Sequence, residues 1–313
     1  MGRFLAGRIL ATIPVLVVVA TVVFLLLRLA PGDPAAILAG DAASPEQIAA
    51  IRARLGLDEP PLTQFLEWIG RLLRGDLGTS IISNQPVTKL IGERIEPTLA
   101  LATTTILFAI AVAVPLGVVA AWRHGSWIDR AVMAFSVIGF SIPIFVLGYL
   151  LIFGFAMELR WLPVQGYTSI REGFLPFITR LVLPTLTLSV IYIALIARIT
   201  RASVLETLGE DYVRTARAKG VGERSVLSRH ALRNAAVPIV SVIGIGIALL
   251  ISGVVVTESV FNLPGLGRLT VDAVLARDYP VIQGVTLLFA FLYVLINLGI
   301  DVAYTLLDPR IRY

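Results

Sequence analysis

Long uncharged runs recur along the whole chain. Six stretches contain no Asp, Glu, Lys or Arg: Ile9–Leu27, Leu99–Trp122, Ala131–Met157, Leu181–Ala197, Ala235–Thr257 and Tyr279–Ile300. Each is close to the roughly 20 apolar residues that an α-helix needs to cross a bilayer. Lipid offers no water to unpaired backbone groups, and a membrane barrel would show short alternating segments instead. The pattern therefore predicts six transmembrane helices.

Composition supports a membrane protein over a large soluble helical protein. The 313 residues have a mean hydropathy of +0.87, and only 15% of them are charged. The first run follows Arg3 and Arg8, as the apolar core of a secretion signal follows its basic residues. Its uncharged length exceeds the roughly 7 to 15 residues of a signal core, and no clear small-residue cleavage site precedes Arg28, so we expect a retained first helix. Cysteine is absent, which excludes disulfides, a thiol nucleophile and thiolate metal sites.

Basic residues are concentrated in alternate connections. The N-terminus, the loop near Arg123, the segment 198–233 and the C-terminus hold 14 of the 26 Lys and Arg residues, with six acids. The remaining 12 cations (26 minus 14) lie in the other connections together with 14 acids. Because cytosolic loops of membrane proteins are enriched in Lys and Arg, both termini are expected in the cytosol and residues 30–96 outside it.

Two amphipathic helices are predicted in the external segment 30–96. Ser44, Pro45 and Gln47 form a helix start with a capping box. The stripe of this helix is Ile48, Ile51 and Leu55, and Gly56 ends it. The second helix spans about residues 62 to 73, with its apolar side formed by Phe65, Leu66, Ile69, Leu72 and Leu73. Their mixed polar faces favour packing over a pore mouth rather than lying on the membrane surface.

The chain lacks the motifs of an enzyme and of an autonomous pump. It contains no HExxH or GxSxG motif, and its two histidines, His124 and His230, lie in different cytosolic loops. Its two lysines, Lys89 and Lys219, are not in a Walker A sequence. The centres of the six spans carry no ionisable residue of the kind that ion-coupled carriers use. A separate energising subunit is therefore expected. An ion-coupled carrier acting alone and a membrane scaffold or receptor remain alternatives.

The most charged segment is DYVRTARAKGVGERSVLSRHALRNAAVPI, residues 211–239. A short helix over 211–219 is expected to end at Gly220, and a second helix from about Glu223 leads toward the fifth span near Pro238. Two short helices joined by a glycine turn would form a knob that contacts the energising subunit. A solvated basic loop without a partner is the alternative. Nucleic-acid binding fits poorly, because acids alternate with the cations and no aromatic platform accompanies them.

This segment resembles the cytoplasmic signature loop of ABC importer permeases of the dipeptide/oligopeptide/nickel family. Arg214, Thr215 and Ala216 stand where the general signature has Glu-Ala-Ala, as in the peptide subfamily. Further motifs resemble the family, in its order and over essentially the whole chain: PGDP at Pro31–Pro34, GDLGTS at Gly75–Ser80, SIPIFVLG at Ser141–Gly148, WLPVQGY at Trp161–Tyr167, FNLPGLGRL at Phe261–Leu269, and the terminal DPRIRY.

The resemblance implies an all-α integral membrane protein with the type I ABC importer transmembrane fold. An external insertion after the first helix is similar to that of the first, B-type permease. The resemblance implies four parts. They are an N-terminal tail with the first helix (1–29), the external insertion (30–96), a transmembrane core (97–307) that contains the coupling loop (201–235), and a cytosolic tail (308–313). The implied location is a bacterial or archaeal cytoplasmic (inner) membrane.

The resemblance also implies partners and site residues. The partners are a second, C-type permease, two ATPase subunits that bind ATP and magnesium, an extracytoplasmic substrate-binding protein and membrane lipid, without nucleic acid. The chain itself would have no catalytic residue, metal or cofactor. The ATPase-coupling residues are Asp211, Tyr212, Arg214, Thr215, Ala216, Arg217, Lys219 and Gly220. Residues of an outer gate or binding-protein contact are Glu258, Phe261, Pro264, Gly265 and Arg268. The expected cargo is a di- or oligopeptide, with nickel or glutathione as alternatives.

Overall fold

The computed structural model describes residues 2–29, 35–36, 44–54 and 57–307, and within these ranges the protein is helical without a β-strand. The α-helices are α1 Gly2–Leu29, α2 Pro45–Arg54, α3 Pro61–Leu73, α4 Val87–Trp122, α5 Trp127–Ser141, α6 Ile144–Leu151, α7 Phe174–Leu208, α8 Asp211–Ala218, α9 Glu223–Ser225, α10 Ala236–Val260, α11 Leu266–Leu275 and α12 Tyr279–Leu307. Two π-helices, Ile152–Glu158 and Val226–Leu232, continue α6 and α9. The motifs at Pro31–Pro34 and in the tail 308–313 lie outside the described residues.

The apolar helices coincide with the six uncharged runs. Among the described residues, α4, α7 and α12 are continuous helices long and apolar enough to cross a membrane. Two more spans are bent pairs: α5 with Ile144–Glu158 at 103°, and Glu223–Leu232 with the first part of α10 at 63°. A shorter apolar helix, Leu10–Leu25, lies within α1. The prediction of an all-α membrane fold is confirmed, although the run Ala131–Met157 is two helices with Pro143 at the break.

The chain divides into two compact units. The first contains residues 1–93 and 269–292, and in it Phe24 of α1 packs against Phe65 and Trp68 of α3, with ring centroids 5.0 and 5.7 Å apart. The second predicted external helix thus packs on the first span. Its placement over a pore mouth stays a prediction.

The capping box at the start of α2 is confirmed. The backbone N–H of Ser44 donates to Oε1 of Gln47 at 2.9 Å, and the N–H of Gln47 donates to Oγ of Ser44 at 3.3 Å. These reciprocal bonds satisfy amide groups that have no partner inside the helix. The predicted end of this helix, Leu55 and Gly56, lies outside the described residues, as does the side chain of Ile51.

The second unit contains residues 94–268 and 293–313, and α7 is its central helix. Helix α7 packs against α5, α6 and α10, and it buries Leu181, Leu188 and Ile196. Helices α4 and α7 approach closely at Gly117, where an added Cβ would lie 2.6 Å from Cβ of Thr200. This packing fixes the C-terminal part of α7, from which the predicted coupling segment follows.

Candidate functional site

Helix α8 forms the predicted short helix after α7. It spans Asp211–Ala218, and of its residues Val213 and Ala216 are buried while the charged side chains are exposed. The apolar side of α8 therefore faces the chain, and its polar side faces outward. Ala216 thus packs inward, and its role as a coupling residue stays a prediction.

Gly220 ends α8 in the left-handed conformation that the sequence predicts. Its φ is +80°, and its N–H donates to the carbonyl of Arg217 at 2.9 Å. The next N–H, that of Val221, donates to the carbonyl of Ala216 at 3.1 Å. This pair of bonds is the Schellman arrangement, in which glycine is preferred because it has no Cβ. The knob thus has a defined end.

Side-chain bonds connect α8 to the segments that follow. The guanidinium of Arg217 binds the carboxylate of Glu223 through two bonds of 2.7 and 3.3 Å, which span the glycine turn. The amide of Asn234 donates to the hydroxyl of Tyr212 at 2.7 Å, and this hydroxyl donates to the carbonyl of His230 at 3.4 Å. The knob is therefore tied to the chain that leads into α10. No sequence pattern predicts the role of Asn234, because this residue lies 22 positions beyond Tyr212.

The polar face of α8 carries the remaining predicted coupling residues. Arg214 pairs with Asp211 at 3.2 Å, and the hydroxyl of Thr215 donates to the carbonyl of Asp211 at 2.9 Å. Lys219 is exposed beside them. This face can offer an ATPase a charged, hydrogen-bonding surface on a short rigid helix.

A buried ion pair holds the start of α5 and the C-terminal part of α7 together. Asp129 is buried, accepts a bond from the N–H of Gly125 at 3.0 Å, and binds the guanidinium of Arg201 through two of its nitrogens. Nδ1 of His124 lies 3.2 Å from the same carboxylate. Buried charges need such partners because desolvation is costly. His124, which the sequence predicts in a cytosolic loop, thus contributes to a helix contact.

Glu258 lies in a buried network at the end of α10. Its carboxylate accepts bonds from the hydroxyl of Thr98 at 2.6 Å and from the N–H of Arg268 at 3.0 Å. The hydroxyl oxygen of Thr98 in turn accepts the N–H of Leu266 at 2.8 Å. Free N–H groups at a helix start attract anionic groups, and α11 begins at Leu266. A Cβ added at Gly265 would overlap the carboxylate.

The residues predicted for an outer gate or a binding-protein contact differ in their burial. Glu258 and Phe261 are 0% and 1% exposed, and Gly265 is also buried. Pro264 is exposed, and Arg268 is half-buried. In this conformation the first three residues shape the chain's own interior. The assignment of all five residues to an outer gate or a binding-protein contact stays a prediction.

The WLPVQGY motif is held beside this network. The hydroxyls of Tyr167 and Ser169 donate to Oε1 of Glu96 at 3.0 and 2.7 Å, and the N–H of Gly166 donates to the carbonyl of Phe261 at 3.1 Å. Burial, with the hydrogen bond to the Glu96 carboxylate, raises the pKa of Tyr167 above its usual value. Tyr167 is therefore a neutral donor at physiological pH. Within the described ranges, no group of three or more His, Cys, Asp or Glu could hold a metal.

Comparisons with known proteins show the family of the chain. The family model described as "Binding-protein-dependent transport system inner membrane component" matches residues 113–313, and the N-terminal model of the same systems matches residues 1–102. A probable peptide ABC transporter permease protein of Sinorhizobium fredii is 56% identical over 313 residues, which is 100% of both chains. A putative peptide transport system permease protein of Brucella abortus is 46% identical, and the glutathione transport system permease of Salmonella choleraesuis is 45% identical, again over 100% of both chains.

A solved structure shows the same fold. An inward-facing form of the MetNI methionine ABC transporter matches with a TM-score of 0.58 and 20% identity, over 71% of this chain and 97% of that chain. At this identity the match concerns the fold alone, and it supports the type I ABC importer architecture. The protein belongs to the binding-protein-dependent transport system inner membrane components, the permease subunits of ABC importers.

Proposed function

We propose that this chain forms half of the translocation pathway of an ATP-driven importer of peptides and is driven by a separate ATPase. Two relatives that match along the full chain are named as peptide permeases. The observation that carries the energy-coupling proposal is α8, a short helix with an exposed charged face and a Schellman end. The chain's two lysines, Lys89 and Lys219, leave it without a Walker A motif.

The proposed assembly contains a second related permease, two ATPase subunits and an extracytoplasmic substrate-binding protein. ATP and magnesium are bound by the ATPase subunits, and this chain supplies no catalytic residue. The proposed parts remain the first helix, the external insertion, the core with its coupling loop, and the tail. The protein lies in the inner membrane, and we assign both of its termini to the cytosol.

The contacts of α8 suggest how ATPase movement reaches the spans. A force on the knob is transmitted through Arg217 and Glu223 to α9, and through Tyr212 and Asn234 to the chain entering α10. A capped short helix tied at two places moves as a rigid body rather than bending. Rigid-body shifts of packed helices between two arrangements are an established means of switching a membrane pathway.

Co-purification and transport test the proposal together. With its three kinds of partner subunit in proteoliposomes, the protein should take up a peptide probe such as trialanine when ATP is supplied on the ATPase side. Reduced glutathione serves as the second probe, because one relative at 45% identity is named as a glutathione permease. The purified chain alone should hydrolyse no ATP. Uptake without an ATPase subunit, or ATP turnover by the isolated chain, would contradict the proposal.

Orientation has a separate test. The chain has no cysteine, so single cysteines report without background. A membrane-impermeant thiol reagent should label Ala50→Cys in α2 of intact cells and spare Ser203→Cys near the end of α7. The opposite labelling pattern would reverse the assigned orientation.

A further inference from the structure

Helix α3 covers only part of its apolar face. It has the sequence PLTQFLEWIGRLL, and none of its residues is buried. On one side of the face, Phe65 and Trp68 pack against α1. On the other side, Leu62, Leu66 and Leu73 are 69%, 60% and 82% exposed. Exposed apolar residues that share one surface mark sites where a protein meets a partner or a membrane.

The three exposed leucines form one edge of the helix. Leu66 and Leu73 lie four and eleven residues after Leu62, which is roughly one and three turns at 3.6 residues per turn. The charged residues of α3, Glu67 and Arg71, are both exposed and lie on the opposite side of the helix. We call the three leucines the α3 edge.

The position of α3 along α1 gives its depth in the membrane. Phe65 and Trp68 contact Phe24, with ring centroids 5.0 and 5.7 Å from it. Phe24 lies three residues before the end of the uncharged run Ile9–Leu27, about 4.5 Å inside it at 1.5 Å per helical residue. Helix α3 therefore rests on the last apolar turn of α1, where the hydrocarbon region meets the headgroups.

Helix α12 supports the same depth independently. The amide nitrogen of Gln283 donates to the carbonyl of Val23 at 3.3 Å, within the first compact unit. Val23 lies four residues before the end of its uncharged run at Leu27, and Gln283 lies four residues after the start of its own run at Tyr279. Each residue is thus about 6 Å inside its run. Two helices with separate sequences place this level close to the same membrane boundary.

The exposed surface of α1 reaches the site where α3 packs. Val15, Val18, Val22 and Leu25 follow one another in steps of three and four residues, so they form one stripe, and each is at least 43% exposed. The stripe ends at Leu25, next to the residue that α3 covers. The α3 edge therefore extends an apolar surface that a membrane-spanning helix already exposes.

We propose that the α3 edge inserts into the outer leaflet of the membrane, where its leucines contact acyl chains next to the headgroups. The leaflet follows from the assigned orientation. Amphipathic helices bind such a boundary through their apolar area and through attraction to anionic lipids. The single Glu and the single Arg of α3 cancel, so the apolar area accounts for the attachment. In this arrangement α3 lies beside α1 rather than over a pore mouth.

The two sides of α3 favour lipid over a protein as the occupant of the edge. The apolar face rests on α1 inside the uncharged run, so Glu67 and Arg71 on the opposite side point toward the aqueous phase. A binding protein that approaches from that phase would meet the charged side and not the leucines. The second permease is the remaining competitor, and the following experiment distinguishes it from lipid.

Spin labels at single cysteines report the surroundings of the edge, because the chain has no cysteine of its own. Leu66→Cys and Leu73→Cys are compared with Glu67→Cys, the control on the charged side. The complete transporter is placed in phosphatidylcholine nanodiscs, and collisions of each label with oxygen and with a water-soluble nickel complex are measured. The edge labels should lie about 5 to 10 Å into the boundary and collide mainly with oxygen. The control label should collide mainly with nickel.

Each other pattern overturns the proposal. Edge labels that collide mainly with nickel would place the leucines in water. Edge labels shielded from both reagents would show that a protein subunit covers them. Partial replacement of phosphatidylcholine by phosphatidylglycerol should leave the depth unchanged, and insertion that requires phosphatidylglycerol would contradict an attachment through apolar area.

A pair of double variants tests whether the leucines themselves hold α3 at this depth. With the label at Leu66→Cys, Leu62→Gln together with Leu73→Gln should move the label from the acyl region to the headgroup level. Thr63→Gln together with Glu67→Gln changes two exposed residues of the polar side and should leave the depth unchanged. Neither variant alters the aromatic contact with α1. An unchanged depth in the leucine variant would show that this contact alone positions α3, and the edge would then have no role in the attachment.

Discussion

Gly220→Val tests whether the end of α8 matters for coupling. Gly220 has φ of +80°, and a side chain in the left-handed region costs about 1 to 2 kcal/mol. No heavy atom lies within 4 Å of an added Cβ, so the cost comes from the backbone and not from a collision. The expected response is that α8 extends or reorients at this point.

The size of this cost predicts a defect in coupling rather than in folding. A change of 1 to 2 kcal/mol shifts the ratio of the capped and relaxed forms by roughly 5- to 30-fold. The relaxed form loses the bonds from Gly220 and Val221 to the last carbonyls of α8. The spans do not depend on these bonds. The variant should therefore insert and assemble with the second permease, but bind the ATPases poorly and transport little.

Gly222→Val is the matched control. Gly222 lies two residues further in the same turn, and it too has no heavy atom within 4 Å of an added Cβ. Its φ and ψ of −63° and 144° belong to the extended region, which β-branched residues adopt readily. Any general effect of a bulky residue in the turn appears in both variants, whereas backbone strain appears only at Gly220.

The assay measures ATP-driven uptake and the amount of ATPase that co-purifies. The unchanged protein, Gly220→Val and Gly222→Val are compared at matched levels in the membrane. The expected order is near-normal function for Gly222→Val and a loss of most uptake and ATPase binding for Gly220→Val. Normal uptake by Gly220→Val would refute the role assigned to α8. Equal losses in both variants would show that the turn is sensitive to bulk and that the left-handed cap is not the cause.

Substitutions at three further places test the packing, and thermal or denaturant unfolding in detergent measures each of them. Gly117→Ala should lower the free energy of unfolding by about 1 to 3 kcal/mol, because its Cβ meets α7, while Gly92→Ala on the same helix has open space and should be neutral or slightly stabilising. Asp129→Ala and Arg201→Ala should each lower the free energy of unfolding by about 3 to 5 kcal/mol. The double variant should lose less than the sum of the two single losses, because the two residues contact each other. Glu258→Ala should cost about 1 to 3 kcal/mol for each buried donor left without an acceptor, and a loss below 1 kcal/mol would contradict the network.

Local sequence patterns predicted the features that depend on neighbouring residues. Three features follow from residue types that are close together in the sequence. They are the capping box at Ser44, the left-handed end of α8 at Gly220 and the apolar spans. Such features need only backbone geometry and the side chain at that site. The sequence could place them because their partners lie within one or two helical turns.

The buried networks could not be predicted in the same way. Glu258 finds Thr98 160 residues away, and Asp129 finds Arg201 72 residues away. Neither pair has a spacing rule, because tertiary packing brings the partners together. The family resemblance implies an outer gate or a binding-protein contact for Glu258 but does not indicate that the start of α11 covers its carboxylate.

The acids of the second unit fall into two groups with different expected roles. A carboxylate taken out of water must be compensated by bonds, and Asp129 and Glu258 each receive several. A carboxylate left exposed without a partner, such as Glu206 or Glu210, keeps its hydration. Its removal should therefore not lower the free energy of unfolding. Substitution of the first group should therefore lower the free energy of unfolding, and substitution of the second should leave it unchanged. A substitution of Glu206 that lowered stability as much as Asp129→Ala would show that the division by partner is wrong.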